Sequence, residues 1–150
     1  MTDKCIDFAS RRRKLSKLVL DDSVILLSSS NIKYRNSDAD YPFRQDSNFY
    51  YLSGFNEPES IIVIRPSAKK RKYVIFCRDR DPLKEQWDGF RSGQDGARKV
   101  HGADEAYSIS LVDEIMPELL EGFRNIYYSM SSPNGINLGL ENWLDHIRAN

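Results

Sequence analysis

Short runs of β-branched and aromatic residues, each bounded by Ser, Asn, Gly or Pro, recur along the chain and predict β-strands. The predicted strands are Val24–Leu27, Phe49–Leu52, Ile61–Ile64, Tyr73–Cys77 and Asn125–Tyr128. Two of these runs are continuously apolar and do not alternate with polar residues. We therefore expect them to be buried on both faces, in a central sheet that is covered by helices.

Apolar residues at helical spacing predict three helices. The first spans residues 3–20, where Phe8, Leu15 and Leu18 share a face and cations fill the other. The second follows Leu111 to Leu119, and Pro117 is expected to end or kink it. The last carries a stripe of residues at positions i, i+3, i+4 and i+7, which are Leu140, Trp143, Leu144 and Ile147.

The order of these elements predicts an α/β fold, a three-layer domain with a mixed central β-sheet flanked by helices. Residues 65–72 begin with a turn-like Arg-Pro-Ser and continue with a charged tract, Lys69 to Lys72, which suits a solvent-exposed hairpin loop. The glycines at positions 89, 93 and 96 lack a preceding strand and a following lysine, so we interpret them as a surface loop.

Composition adds limits on function. The chain has 150 residues, 22 Lys+Arg against 22 Asp+Glu, and 40% hydrophobic residues, which fits one globular domain, residues 1–150. This charge balance argues against a nucleic-acid binder or an anionic-membrane binder. No apolar run approaches the ~20 residues of a membrane-spanning helix. The N-terminus lacks the apolar stretch of a secretory signal, and Cys5 and Cys77 are far apart, so we predict reduced thiols and a cytoplasmic protein.

Few residues are arranged for catalysis. His101 and His146 are isolated, and no carboxylate stands at metal-ligand spacing from them. Cys77 ends an apolar strand, where some hydrolases place a nucleophile, but core packing is the favoured interpretation. We therefore predict no catalytic residue and no metal site in this chain.

Two stretches have compositions typical of contact surfaces. In the first, Tyr41 to Arg44 stands ahead of a predicted strand, and a surface role and a structural role fit it equally well. In the second, Trp87 lies in a polar, glycine-flanked segment that is poorly suited to a core. We therefore favour a contact role for Trp87.

The run from Tyr41 to Glu59, YPFRQDSNFYYLSGFNEPE, closely resembles the signature of the N-terminal domain of aminopeptidase P, in the creatinase/prolidase superfamily. Further support comes from the arginine triplet after Phe8, from the spacing of Glu85, Trp87 and Arg91, and from the GQDGA segment at residues 93–97. Specific motifs extend from about Phe8 to Gly102. The tract Lys69 to Lys72 has no role that the family suggests.

This resemblance implies a parent enzyme that removes an N-terminal residue preceding proline. It implies a metal-binding "pita-bread" catalytic domain after residue 150, with two divalent metal ions, commonly manganese, held outside this chain. The present domain would then shield the substrate cleft for Xaa-Pro peptides and assemble a homo-oligomer, a dimer or a tetramer. A helix that finishes at the last residue agrees with a domain taken from a longer chain.

The resemblance also implies contact residues. Trp87 matches an aromatic residue at the tip of a loop that reaches toward a neighbouring subunit's active site. Asp38 and Arg44 lie near the family's other cleft-facing positions, although Arg44 could instead anchor the turn at Tyr41 through an internal ion pair. Tyr41, in the same segment, is a further predicted contact residue. The alternative hypothesis is a free-standing, non-catalytic module of the same fold, which would bind a peptide or protein through Tyr41 to Arg44 and Trp87. Prolidase and creatinase share the fold, but the YPFRQ run favours aminopeptidase P.

Overall fold

The computed structural model describes residues 6–30, 34–36, 39–40, 43–129 and 136–149. The helices are α1 (Phe8–Ser16), α2 (Ser47–Ser53), α3 (Pro82–Asp88), α4 (Gly93–Lys99), α5 (Val112–Leu120) and α6 (Ile136–Ala149), with a 3-10 turn at Ile109–Leu111. The strands are β1 (Ser23–Ser28), β2 (Tyr34–Asn36), β3 (Ala39–Asp40), β4 (Ile61–Ile64), β5 (Tyr73–Cys77), β6 (Glu105–Ser108) and β7 (Asn125–Tyr128).

The main sheet has five strands in the order β6-β5-β4-β1-β7. Strand β4 is antiparallel to both of its neighbours, while β5 pairs with β6, and β1 with β7, in parallel. The sheet is therefore mixed, as predicted, with β4 alone running against the other four strands. Strands β2 and β3 form a separate antiparallel ribbon in which Tyr34 is opposite Asp40.

Apolar side chains cover both faces of this sheet. On one face, Ile62 and Ile75 pack with Phe49 of α2 and Ala97 of α4. On the other face, the strand side chains pack with α5 and α6, in a cluster that includes Val63, Val74, Phe76, Met116, Leu119, Leu140 and Trp143. The predicted three-layer α/β arrangement is confirmed, because continuously apolar strands must be covered on both sides.

The predicted strand Phe49–Leu52 is wrong, because these residues lie in helix α2. Asp46 begins the helix by accepting the backbone N–H of Phe49 at 2.9 Å, and Gly54 ends it with a left-handed φ of 66°. Between these two caps, Phe49 and Leu52 are buried at helical spacing while Tyr50 and Tyr51 face solvent. Capping therefore outweighed the strand propensity of the aromatic residues.

Two predicted helices are confirmed with different bounds. Helix α1 is shorter than the predicted 3–20, since Asp7 caps its start through the N–H of Ser10 and the chain turns after Ser16. Pro117 does not end α5, which continues to Leu120. The proline removes one helix hydrogen bond, and the burial of Leu119 and Leu120 beyond it offsets that loss.

Most of the remaining predicted elements are confirmed, and one is corrected. The final helix, the strand Asn125–Tyr128 and the hairpin loop between β4 and β5 are confirmed. The glycine-rich segment is not wholly a loop, because α4 begins at Gly93. A Cβ at Gly93 would lie 2.6 Å from the side chain of Arg80, so only glycine allows this close approach. Within the described residues, no helix has the length and apolar character needed to cross a membrane.

Gly54 and Gly122 allow a matched test of the α1–α2 contact. Both have positive φ, but a Cβ at Gly54 would lie 2.5 Å from the ring of Phe8, whereas a Cβ at Gly122 meets nothing within 4 Å. We expect Gly122→Ala to cost about 1 kcal/mol of unfolding free energy through backbone strain alone, and Gly54→Ala to cost about 1 kcal/mol more. Urea denaturation measures both. Equal losses would contradict the Phe8 contact.

Candidate functional site

Helix α3 presents an apolar surface to solvent. The exposed fractions are 75% for Leu83, 88% for Trp87 and 72% for Phe90. Leu83 and Trp87 are four positions apart and share one side of the helix, and Phe90 follows directly after its end. We call these three side chains the α3 knob. The exposure of Trp87 agrees with the predicted contact role, but the residue lies in a helix and not in a polar loop.

Local sequence explains why a helix forms there. Asp81 accepts the backbone N–H of Lys84 at 3.2 Å and so caps the helix, and Pro82 occupies the first helical position. Proline suits that position because its ring presets φ and its missing N–H has no partner to lose. The Asp-Pro pair is the sequence feature that could have predicted this helix.

Glu85 fixes the base of the α3 knob. Its carboxylate accepts the backbone N–H of Arg91 at 2.8 Å and that of Asp81 at 3.1 Å, and it pairs with Arg80 Nε at 3.0 Å. These interactions lower the pKa of Glu85, the hydrogen bond from Arg91 most of all. The ionised carboxylate therefore connects the start of α3 to the chain that follows the helix.

A buried ionic network lies beneath this region. The side chains of Glu57 and Arg78 are each only 10% exposed and pair at 3.5 Å between Oε1 and Nη2. Glu57 also accepts the backbone N–H of Ser92 at 3.0 Å, just before α4. Next to Ser92, the Arg91 guanidinium donates to the carbonyl of Asp79 at 3.2 Å. Glu57 thus connects the chain before β4 to the end of β5 and the start of α4.

The sequence did not indicate a role for Glu57, although the residue lies within the motif at residues 41–59. Glu57 stands between the apolar residues Phe55 and Pro58, which was the available indication in the sequence that its carboxylate is enclosed. The structure shows that both of these neighbours are buried. Its partner Arg78 could not be inferred, since the two residues meet only after β4 and β5 have paired. Arg78 Nε and Arg91 Nε are buried without a hydrogen-bond partner among the described residues.

Arg44 lies at a shallow depression of about 470 Å³ with both polar and aromatic side chains in its lining. Arg11 and Tyr51 line it too, and the described residues show no ion pair for Arg44. Asp38 and Tyr41, two further predicted contact residues, lie outside the described residues. The structure therefore places Arg44 on the surface, and the contact roles of Asp38, Tyr41 and Arg44 stay predictions.

Gln45, beside Arg44, connects two segments of the chain through hydrogen bonds of its side chain. Its carbonyl accepts the N–H of Ser30 at 2.9 Å, and its amide donates to the carbonyls of Phe55 at 3.0 Å and Glu57 at 2.9 Å. It therefore joins the chain after β1 to the chain before β4. Gln45 lies within the motif at residues 41–59, but the sequence did not predict that it connects these two segments.

The predicted core packing of Cys77 is confirmed, whereas Cys5 lies outside the described residues. Cys77 is fully buried, and burial raises the pKa of its thiol to about 12, so it packs in the core as the neutral thiol. His101 packs edge-on against Phe55 at 4.9 Å between ring centroids, and burial lowers its pKa. His146 is exposed. Within the described segments, no three His, Cys, Asp or Glu residues are grouped as metal ligands.

Comparison with known proteins identifies the family. Residues 8–127 match the family model described as the aminopeptidase P, N-terminal domain. The chain belongs to the aminopeptidase P N-terminal domain family. This confirms the resemblance that the motif at residues 41–59 indicated.

Curated relatives and solved structures agree with this family. The chain is 39% identical over 122 residues to a Xaa-Pro aminopeptidase of Haemophilus influenzae. It is 36% identical over 146 residues to human Xaa-Pro aminopeptidase 3. These matches span 81% and 89% of this chain but only 28% and 29% of the relatives.

Two solved structures share the fold. An aminopeptidase of Pseudomonas aeruginosa is 40% identical with a TM-score of 0.90, covering 95% of this chain and 32% of that one. Aminopeptidase P of Escherichia coli is 32% identical with a TM-score of 0.87, covering 94% and 32%. The chain thus spans about a third of the length of its relatives.

Glu57→Gln tests the buried network of the aminopeptidase P N-terminal domain. The amide keeps the shape of the side chain but leaves the Arg78 guanidinium buried without its counterion, which costs about 3 kcal/mol in comparable pairs. We expect urea denaturation to show a loss of that order. Glu59→Gln is the matched control, since Glu59 is exposed and two positions away. A Glu57→Gln variant as stable as the control would contradict the network.

Proposed function

We propose that this chain is the N-terminal, non-catalytic domain of a metal-dependent Xaa-Pro aminopeptidase, which releases the N-terminal residue that precedes proline. The family match over residues 8–127 and the names of the relatives support this activity for the parent protein. Because the chain spans about a third of those relatives, the proposal includes a catalytic domain after residue 150.

The proposal assigns the metal ions to that further domain. The described residues of this chain do not fit a metal site, since no group of three potential ligands is present among them. One solved relative is described as zinc-substituted Escherichia coli aminopeptidase P in complex with product, which supports a metal-dependent parent. We propose two divalent ions, with manganese as the physiological metal, and a cytoplasmic location, which the buried neutral thiol of Cys77 suits.

Our proposal for the role of this domain rests on the α3 knob. Two large apolar side chains on α3 and a third just after it are exposed to water, and Glu85 connects the start of the helix to the chain that follows it. Exposed apolar surface of this kind is typical of a contact site, and a rigid aromatic side chain loses little conformational entropy when it is covered. We propose that the knob contacts a neighbouring subunit of a homo-oligomer.

Trp87 would then stand at the mouth of the neighbour's substrate cleft. A rigid aromatic group there limits the space available to a bound chain, so that short Xaa-Pro peptides enter and long folded chains do not. In this role the domain shields the cleft and assembles the oligomer, without contributing a catalytic residue.

The activity is tested with the parent protein that includes the sequence after residue 150. We expect cleavage of a Xaa-Pro dipeptide but not of its Xaa-Ala counterpart, and the cleavage should require a divalent ion that a chelator removes and manganese restores. The 150-residue chain alone should cleave neither peptide. Cleavage by the purified chain, or equal cleavage of both peptides by the parent, would refute the proposal.

Trp87→Ala tests the contact role. The side chain is 88% exposed, so its removal should change the unfolding free energy by no more than about 0.5 kcal/mol. In the parent we expect a smaller oligomer by sedimentation, and a higher KM for short Xaa-Pro peptides because the cleft loses one wall.

Two further variants sharpen this test. Val100→Ala removes another apolar side chain, 77% exposed and distant in sequence from α3, and should change neither property. Trp87→Phe should restore much of both, because it returns an aromatic ring. An unchanged oligomer and KM in Trp87→Ala would remove α3 from the contact surface.

A further inference from the structure

An apolar groove lies beside α1 and is bordered by two of the helix's cations, Arg11 and Lys14. It has a volume of about 480 Å³ and runs between α1, α2, β1 and the edge strand β7. Its apolar wall includes Leu15, Leu18, Tyr51, Leu52 and Tyr127. We call this depression the α1 groove.

The α1 groove is open because the helical layer on this face stops short of the sheet edge. Helix α4 packs against β5 and β6, and α2 against β1, whereas β7 is the last strand of the sheet. Leu18 is 82% exposed, Tyr51 53% and Tyr127 38%. These side chains leave a continuous apolar surface in water.

The depression at Arg44 adjoins this groove. Arg11 and Tyr51 line both, so the two depressions form one composite surface. Arg11 is held in place, since its guanidinium donates to the carbonyl of Tyr51 at 3.1 Å and stacks on the Tyr51 ring at 4.1 Å. The surface therefore has a largely apolar part and a part of mixed polar and aromatic character, with a fixed cation lining both.

Among the described residues, the charged side chains that line this composite surface are all cations. Arg11, Lys14 and Arg44 line it, and among the described residues no carboxylate does. The described residues also provide no ion pair for these three cations, whereas Arg13 on the same helix pairs with Asp7 at 3.7 Å. Three cations beside an apolar groove complement an occupant that carries carboxylates and apolar groups.

The zero net charge of the chain hides this asymmetry. Helix α1 contains four cations and no acidic residue, while α5, in the layer on the other side of the sheet, contains three acidic residues and no cation. A sequence-wide charge count cannot reveal such a separation. It becomes visible only when the helices are assigned to opposite faces of the sheet.

We infer that the composite surface is a docking site for an acidic, apolar peptide segment of another polypeptide. Carboxylates of the segment pair with Arg11, Lys14 and Arg44, and its leucine or aromatic side chains fill the α1 groove. A concave apolar floor suits a peptide better than a flat bilayer, and three cations are few for a nucleic-acid backbone. This inference is independent of proline-specific cleavage and of the α3 knob.

The first test measures binding to the full chain by fluorescence anisotropy. The probe is a labelled short peptide that alternates glutamate with leucine and phenylalanine, and its control carries lysine in place of every glutamate. We expect saturable binding of the acidic peptide alone, weakened by added salt. Absence of saturable binding, or equal binding of both peptides, would overturn the inference.

Variants then locate the binding surface. Lys14→Glu changes an exposed charge in the groove and should weaken the acidic peptide about fivefold while improving the lysine peptide. Leu18→Ser removes an exposed apolar contact and should also weaken binding. Lys69→Glu is the matched control, an exposed lysine in the β4–β5 loop, and should match the unaltered chain.

Other occupants give different outcomes. If sedimentation shows self-association that Lys14→Glu abolishes, the occupant is a second copy of this chain and the inference is wrong. Tighter binding to phosphatidylserine vesicles or to single-stranded DNA than to the acidic peptide, lost in Lys14→Glu, would likewise replace the peptide by a membrane or a nucleic acid. Equal losses in Lys14→Glu and Lys69→Glu would show only nonspecific attraction and would also refute the docking site.

Discussion

Burial of both faces of strands β4 and β5 is the constraint on which the rest of the structure depends. Val63 and Val74 face one layer of helices, Ile62 and Ile75 face the other, and all four are fully buried. Neither face can be left in water, because each such side chain contributes about 1.5–3 kcal/mol when buried. Helices must therefore cover the sheet twice, and the chain must cross from one layer to the other.

That arrangement also brings the polar network together. Strand β4 is antiparallel to β5, so the chain entering β4 and the chain leaving β5 meet at the same end of the two strands. Glu57 and Arg78 lie at this end, and Gln45 connects it to the chain after β1. A carboxylate and a guanidinium that are nearly excluded from water require each other there, so the chain is held in place just before α3 begins.

The two exposed surfaces, the α3 knob and the α1 groove, differ in shape and in charge. The α3 knob is convex and apolar, and the α1 groove is concave, apolar and bordered by cations. The knob fits the proposed subunit contact of an aminopeptidase P, and the groove fits a different, acidic partner, so the two surfaces can be separated by single substitutions.

The sequence by itself determined the layers and the family. Continuously apolar strands and the helical stripe at Leu140 and Trp143 predicted the three-layer sheet, because burial on two faces has a local pattern. The motif from Tyr41 to Glu59 indicated the family. The capping residues Asp46 and Gly54 were also a signal in the sequence. The strand propensity of Phe49–Leu52 nevertheless led to the prediction of a strand, and that prediction was wrong.

Only the tertiary structure decided which distant groups meet. Glu57 pairs with Arg78 across 21 positions, and Arg11 shares a surface with Arg44 and Tyr127 that no sequence spacing reveals. The exposure of Trp87 could be predicted from its polar surroundings, and its helix from the pair Asp81 and Pro82, whereas the hydrogen bond from Arg91 to Glu85 could not be predicted. Periodicity reports how one element is buried, but contacts between elements depend on strand order and on which face each helix covers.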